Sequence, residues 1–92
     1  MATPTQLAVA ELLRAVTGED AGWLAGVGPA TRLDGDLFVD SLELAALGER
    51  LTAVYGTGVR LTEYVAGLDL DALLSLSVAD VASYVDSTSG TR

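Results

Sequence analysis

The sequence predicts an all-α fold, a small bundle of three main helices plus one or two short helices, with a long loop between helices one and two. Three observations predict it. Half of the 92 residues are hydrophobic, yet there are only one Trp, three Tyr and one Phe, so the core is built from Leu, Val and Ala, which favours packed helices over sheets. Apolar residues recur at helical spacing in three separate stretches. Each of these stretches opens on a helix-capping signature. A chain of this length buries only about 60 to 65 per cent of its unfolded surface and supports one modest core. A single domain is therefore expected over residues 1–92, with its ordered part at about 4–86.

Thr3-Pro4-Thr5-Gln6 has the form of a capping box with proline at the first helical position. A first helix should follow, with Val9, Leu12, Leu13 and Val16 as its buried stripe, Gln6, Ala10, Glu11 and Arg14 on the other side, and Gly18 at its end. Leu7 falls on the polar side as a singly exposed leucine. From Glu19 to Val39, the residues Gly26, Gly28, Pro29 and Gly35 break any period and predict a loop. Trp23, Leu24, Leu33, Leu37 and Phe38 are too apolar for a free linker and are expected to pin this loop across the bundle.

The clearest helix runs from Ser41 to about Tyr55 and spans roughly 22 Å at about 1.5 Å per residue. Leu44, Leu47, Leu51, Val54 and Tyr55 share its core face, and Leu42, Ala46, Glu49, Arg50 and Ala53 lie opposite. Gly56 and Gly58 terminate it. Beyond Val59-Arg60-Leu61, Thr62 can cap a turn through Val65 and Asp69 another through Leu74; either segment can serve as the third helix. Ser77-Val78-Ala79-Asp80 is a further capping-box start, leading into Val78, Val81, Ala82 and Val85 at helical spacing. Residues 87–92 read as a frayed tail.

Composition narrows the function classes. Five Arg stand against thirteen Asp and Glu, for a net charge of −8, which repels a phosphate backbone and attracts basic faces of other proteins. No nucleic-acid partner is expected. Cys and His are absent, and all five basic residues are Arg, so thiol, imidazole and amine chemistry are all missing. Zinc loses both of its favoured ligand types, and Asp34, Asp36, Asp40 and Glu43 miss the spacing of a calcium loop. Carboxylate-only catalysis would need an isolated, apolar-flanked acidic pair, which the sequence does not offer. The N-terminus lacks the pattern of a signal peptide, and no run approaches the roughly 20 apolar residues of a membrane span. A cytoplasmic, monomeric, non-enzymatic protein is expected.

Asp40-Ser41-Leu42 stands where the long loop meets the central helix. The Ser41 hydroxyl should lie near unpaired backbone N–H groups at a positive helix end, a favourable place for a phosphate ester. The same residues also make an ordinary helix cap, since Asp40-x-x-Glu43 is close to a capping box.

Over roughly residues 4–86 the chain resembles the acyl carrier proteins and the closely similar peptidyl carrier proteins. The resemblance rests on chain length, acidic charge, the long loop after the first helix, and Leu33-Asp34-Gly35-Asp36-Leu37-Phe38-Val39-Asp40-Ser41-Leu42 opening a helix that ends at Tyr55-Gly56. Ser-Val-x-Asp-Val-x-x-Tyr at residues 77–84 is similar to the family's last helix. The resemblance implies a 4'-phosphopantetheine arm attached covalently to Ser41 by a phosphopantetheinyl transferase using coenzyme A and Mg²⁺. The arm would supply the thiol that the polypeptide lacks. Asp40 and Leu42 are then partner-recognition positions, joined along the second helix by Glu43, Ala46, Glu49 and Arg50. Family members of the fatty-acid type commonly carry Glu where this chain has Ala46, and the segment from Val59 to Leu76 looks longer than their third-helix region. These departures point to a discrete acyl carrier in a dedicated, secondary-metabolite type of pathway, whose partners would be acyl- or aminoacyl-loading enzymes and the biosynthetic enzymes downstream. The alternatives are a peptidyl or aminoacyl carrier of a nonribosomal pathway, and an interaction module with no prosthetic group that docks through its central helix.

Overall fold

In the computed structural model, which describes residues 3–89, the chain is all-α. The helices are α1 (Pro4–Thr17), α2 (Ser41–Tyr55), α3 (Leu61–Ala66), α4 (Leu70–Leu74) and α5 (Val78–Ser89), with a 3-10 turn over Ala21–Gly26 inside the long loop. No strand forms among the described residues; a lone antiparallel bridge joins Arg32 to Ser77.

Helix α1 opens on the predicted capping box. Thr3 Oγ1 accepts from the Gln6 N–H at 3.1 Å, and Gln6 Oε1 accepts from the Thr3 N–H at 2.9 Å. Its end is set by Gly18, whose φ of 77° lies in the left-handed region that glycine enters without a Cβ clash. Val9 and Leu13 are fully buried, Leu12 and Val16 pack partly against the core, and Leu7 is exposed. Ala10, expected on the polar side, is buried. The cause is tertiary: α1 packs on both α5 and α2, so its covered arc is wider than one stripe and takes in this small side chain.

The long loop is held by backbone as well as by side chains. Asp20 caps the 3-10 turn by accepting from the Trp23 N–H at 3.1 Å, and Trp23 and Leu24 are half-buried. Further on, the Leu33 N–H donates to the Leu76 carbonyl, the Val78 N–H to Thr31 and the Ala79 N–H to Pro29, each at 2.9 Å. Leu33 is buried and Leu37 half-buried, as expected of anchors. Phe38 is not an anchor: it is 80% exposed, with φ at 56°. Its neighbours Leu37 and Val39 both pack against the core, while Phe38 between them does not.

Helix α2 has the predicted span and lays Leu47 and Leu51 fully into the core, with Leu44 and Tyr55 partly covered. Val54, expected in that face, is 61% exposed. At about 100° per residue it lies some 20° outside Leu47, the edge of the buried arc. Gly48 is buried inside the arc, and a Cβ there would stand 3.3 Å from the Leu61 Cβ. A glycine inside a helix usually costs about 1 kcal/mol relative to alanine; here it permits α3 to approach α2.

The two candidate third helices both form, over six and five residues. Asp69 caps α4 as expected, accepting from the Ala72 N–H at 2.8 Å. Thr62 does not cap α3. That helix begins at Leu61, so Thr62 lies within it, and the Arg60 N–H at its mouth donates to the Tyr84 hydroxyl at 2.7 Å. Tyr84 also stacks on Tyr64, with ring centroids 4.4 Å apart and planes 17° from parallel. Tyr84→Phe keeps the stack and removes the acceptor, and is expected to lower the unfolding free energy by about 0.5 to 1 kcal/mol in urea titration.

Ser77 and Asp80 form the last capping box, with bonds of 3.2 and 3.0 Å. Val78, Val81, Ala82 and Val85 are all buried. The helix runs on to Ser89, so residues 87–89 are helical rather than frayed; Ser87 and Thr88 hydroxyls donate back to the Tyr84 carbonyl at 2.9 and 2.8 Å. The rest of the expected tail, 90–92, lies outside the described residues. Thr5 donates to the Asp86 carboxylate at 2.7 Å, tying α1 to α5. No helix among the described residues is long and apolar enough to cross a membrane.

Candidate functional site

The junction of loop and α2 is shaped first by a cap. Asp40 adopts extended backbone angles (φ −89°, ψ 179°) and its Oδ1 accepts from the Glu43 N–H at 2.7 Å, while Glu43 Oε1 accepts from the Asp40 N–H at 3.1 Å. The box commits both carboxylates to the helix end. Ser41 is thereby the first helical residue, exposed, with its own N–H and that of Leu42 left without an intrahelical partner.

The serines of the chain differ in how their hydroxyls are used. Ser75 and Ser87 donate to backbone carbonyls and Ser77 accepts from Asp80. Among the described side chains, Ser41 and Ser83 have hydroxyls with no hydrogen-bond partner. Ser83 lies within α5, where the backbone N–H groups are consumed by the helix itself. Among the described serine side chains, only Ser41 combines an unengaged hydroxyl with a helix N-terminus.

Beside Ser41 is a cavity of about 170 Å³, lined by Leu33, Asp34, Val39, Asp40, Ser41, Leu44, Leu73, Leu74 and Leu76. Its walls come from the loop, the first turn of α2, and α4 with the residues after it. Apolar side chains make most of the wall, with Asp34, Asp40 and Ser41 as its polar members. Drug-sized ligands occupy pockets of about 300 to 1,000 Å³, so this one suits only a small apolar group. Tyr55, Tyr64 and Tyr84 do not line it.

The predicted recognition positions divide into two groups. Asp40, Leu42 and Glu43 gather at the first turn with Ser41; Ala46, Glu49 and Arg50 follow one to two turns along. Leu42 is 83% exposed, Glu49 and Arg50 are exposed, and Glu43 and Ala46 are half-buried. Arg14, Arg32 and Arg60 are engaged with Glu11, Asp36 and Glu63. The hydrogen bond from the Arg32 N–H, and then the guanidinium beside it, hold the Asp36 carboxyl below the usual carboxylate range. Arg50 makes no ion pair among the described residues, and lies some 13 Å along the axis from Ser41 at about 1.5 Å per residue. Any anion at Ser41 therefore depends on the helix end rather than on a cation. No group of three or more Asp or Glu among the described residues is placed to hold a metal ion.

Sequence reasoning missed Leu73, Leu74 and Leu76 as neighbours of Ser41, because only the tertiary fold brings them there. It also missed Phe38 as a surface residue, since nothing local separates it from its apolar neighbours Leu37 and Val39. Comparison with known protein families, with curated proteins and with solved structures finds no match to this chain.

Proposed function

We propose that this chain is an acyl carrier protein, with Ser41 bearing a 4'-phosphopantetheine arm on which acyl intermediates travel as thioesters in a dedicated biosynthetic pathway. The observation that supports this reading most is the state of Ser41: exposed, with an unengaged hydroxyl, first in a well-capped helix, and next to a small apolar cavity. A phosphodiester on its oxygen would meet the unpaired N–H groups of the first turn and the positive end of the helix dipole. In the attachment step the serine oxygen forms the new phosphate ester as the pyrophosphate bond of coenzyme A breaks and adenosine 3',5'-bisphosphate leaves. The hydroxyl proton must leave to a base on the transferase, since no base among the described residues is bonded to Ser41.

When bound, the arm supplies the thiol. The protein contributes position and a recognition surface. Incubation with coenzyme A, Mg²⁺ and a broad-specificity phosphopantetheinyl transferase tests the reading: intact mass should rise by one arm. A wild-type chain left unmodified by several active transferases overturns it and favours the interaction module, which the exposed Leu42 also suits.

Leu42 lies about 180° around α2 from Leu51 and needs no place in the core. Leu42→Arg is expected to leave helicity and the unfolding midpoint unchanged while slowing arm transfer, since a bulky charge enters the contact surface. Leu42→Ala should slow it less. Equal initial rates for Leu42→Arg and wild type would remove Leu42 from recognition, and a large loss of stability would place it in the core.

A further inference from the structure

Phe38 is the one described residue other than glycine with a positive φ, and it is also 80% exposed. The left-handed region crowds the Cβ of an L residue, and a phenyl ring left in water forgoes its burial. Both effects act against the fold, and Phe38 is not among the side chains packed on the core. Nor is the ring displayed by a loose segment. The Leu37 N–H donates to the Arg32 carbonyl and the Phe38 N–H to Asp34, each at 3.2 Å, and the Val39 N–H to Leu33 at 2.9 Å. The Arg32 N–H adds a bond to the Asp36 carboxylate at 2.8 Å. The turn from Arg32 to Val39 is thus fixed by its own hydrogen bonds in a shape that turns the ring outward. Strain retained in a well-bonded turn is a mark of a functional constraint.

The surroundings indicate what would cover it. Phe38 and the exposed Leu42 lie on either side of Asp40 and Ser41 in the chain, and the nearby charged side chains are Asp34, Asp36, Asp40 and Glu43. Arg32 is the only cation in that stretch and is paired with Asp36. We propose that Phe38 is the aromatic anchor by which enzymes acting at Ser41 dock, and that such a partner presents an apolar pocket for the ring, rimmed by Arg or Lys. Charge complementarity selects this occupant over an acidic or uncharged one, and desolvated aromatic residues dominate interface energies. The inference rests on the carrier reading and adds to it the chemistry of the partner.

Phe38→Gly and Phe38→Asn test it, because both residues tolerate the left-handed conformation while removing the ring. With coenzyme A, Mg²⁺ and a broad-specificity transferase, both variants should melt at or above the wild-type Tm. Their kcat/KM for arm transfer should fall about 10-fold, through KM, as loss of an interface anchor entails. Added salt should slow wild type and variants alike, reporting the basic rim. Unchanged kcat/KM in both variants overturns the inference while leaving the carrier reading in place. A lowered Tm in both overturns it by giving Phe38 a packing role, and a wild-type dimer dispersed by Phe38→Gly overturns it by making a second copy the occupant. A wild-type chain that accepts no arm overturns the carrier reading and this inference together.

Discussion

Ser41→Ala is expected to abolish attachment of the arm while leaving the fold intact. The loss should be complete, since no other described serine joins an unengaged hydroxyl to a helix N-terminus: Ser75, Ser77 and Ser87 are tied by hydrogen bonds and Ser83 lies inside α5. The fold should not notice. Capping of α2 is performed by Asp40 and Glu43, and alanine at the first helical position has the best intrinsic propensity, so the stability change should stay within about 0.5 kcal/mol. Intact mass after incubation with transferase, read beside a denaturation curve, checks both halves. Continued addition at Ser83 or elsewhere would overturn the site and spare the class. Loss of modification together with loss of structure would overturn the claim that Asp40, and not Ser41, holds the helix end.

The largest stability effects are expected from Leu47→Ala and Leu51→Ala. Both side chains are fully buried in the shared core, so truncation removes their transfer free energy and leaves a cavity, at a cost of about 2 to 5 kcal/mol each. At roughly 0.05 to 0.15 kcal/mol per residue, a domain of this size holds about 5 to 14 kcal/mol in all. Either substitution therefore removes a large share, and the pair, one helical turn apart, should not add linearly. Glu49→Ala, on the exposed face, should change stability by no more than about 0.5 kcal/mol. Urea midpoints decide it: a costly Glu49 with neutral leucines would mean that α2 is rotated from the orientation described.

Much of the fold was legible because its signals are local. The boxes Thr3/Gln6, Asp40/Glu43 and Ser77/Asp80 each close within four residues, so the starts of α1, α2 and α5 could be read from spacing alone. What escaped depends on distant residues. Helix α3 has no side-chain cap; the Arg60 N–H at its mouth donates to the Tyr84 hydroxyl, 24 residues on, and no local pattern announces that contact, while Thr62, of a type common at caps, lies inside the helix. Ala10 and Val54 were misplaced since a helical wheel gives directions but not the width of the neighbour that covers them. The site divides the same way. Ser41 at the loop–helix junction was legible, whereas the cavity beside it needs Leu73, Leu74 and Leu76, delivered from beyond α3.

Helix α4 has one turn and a little more, no buried residue, and an exposed Leu70. Segments with few buried contacts open at a small fraction of the global unfolding free energy, so their amide protons exchange with solvent long before those of the core. Part of the cavity wall beside Ser41 thus belongs to a helix with no buried residue, and part to α2, anchored by Leu47 and Leu51. Hydrogen exchange should accordingly find the Leu73 and Leu74 side of the enclosure less protected than the side built on α2.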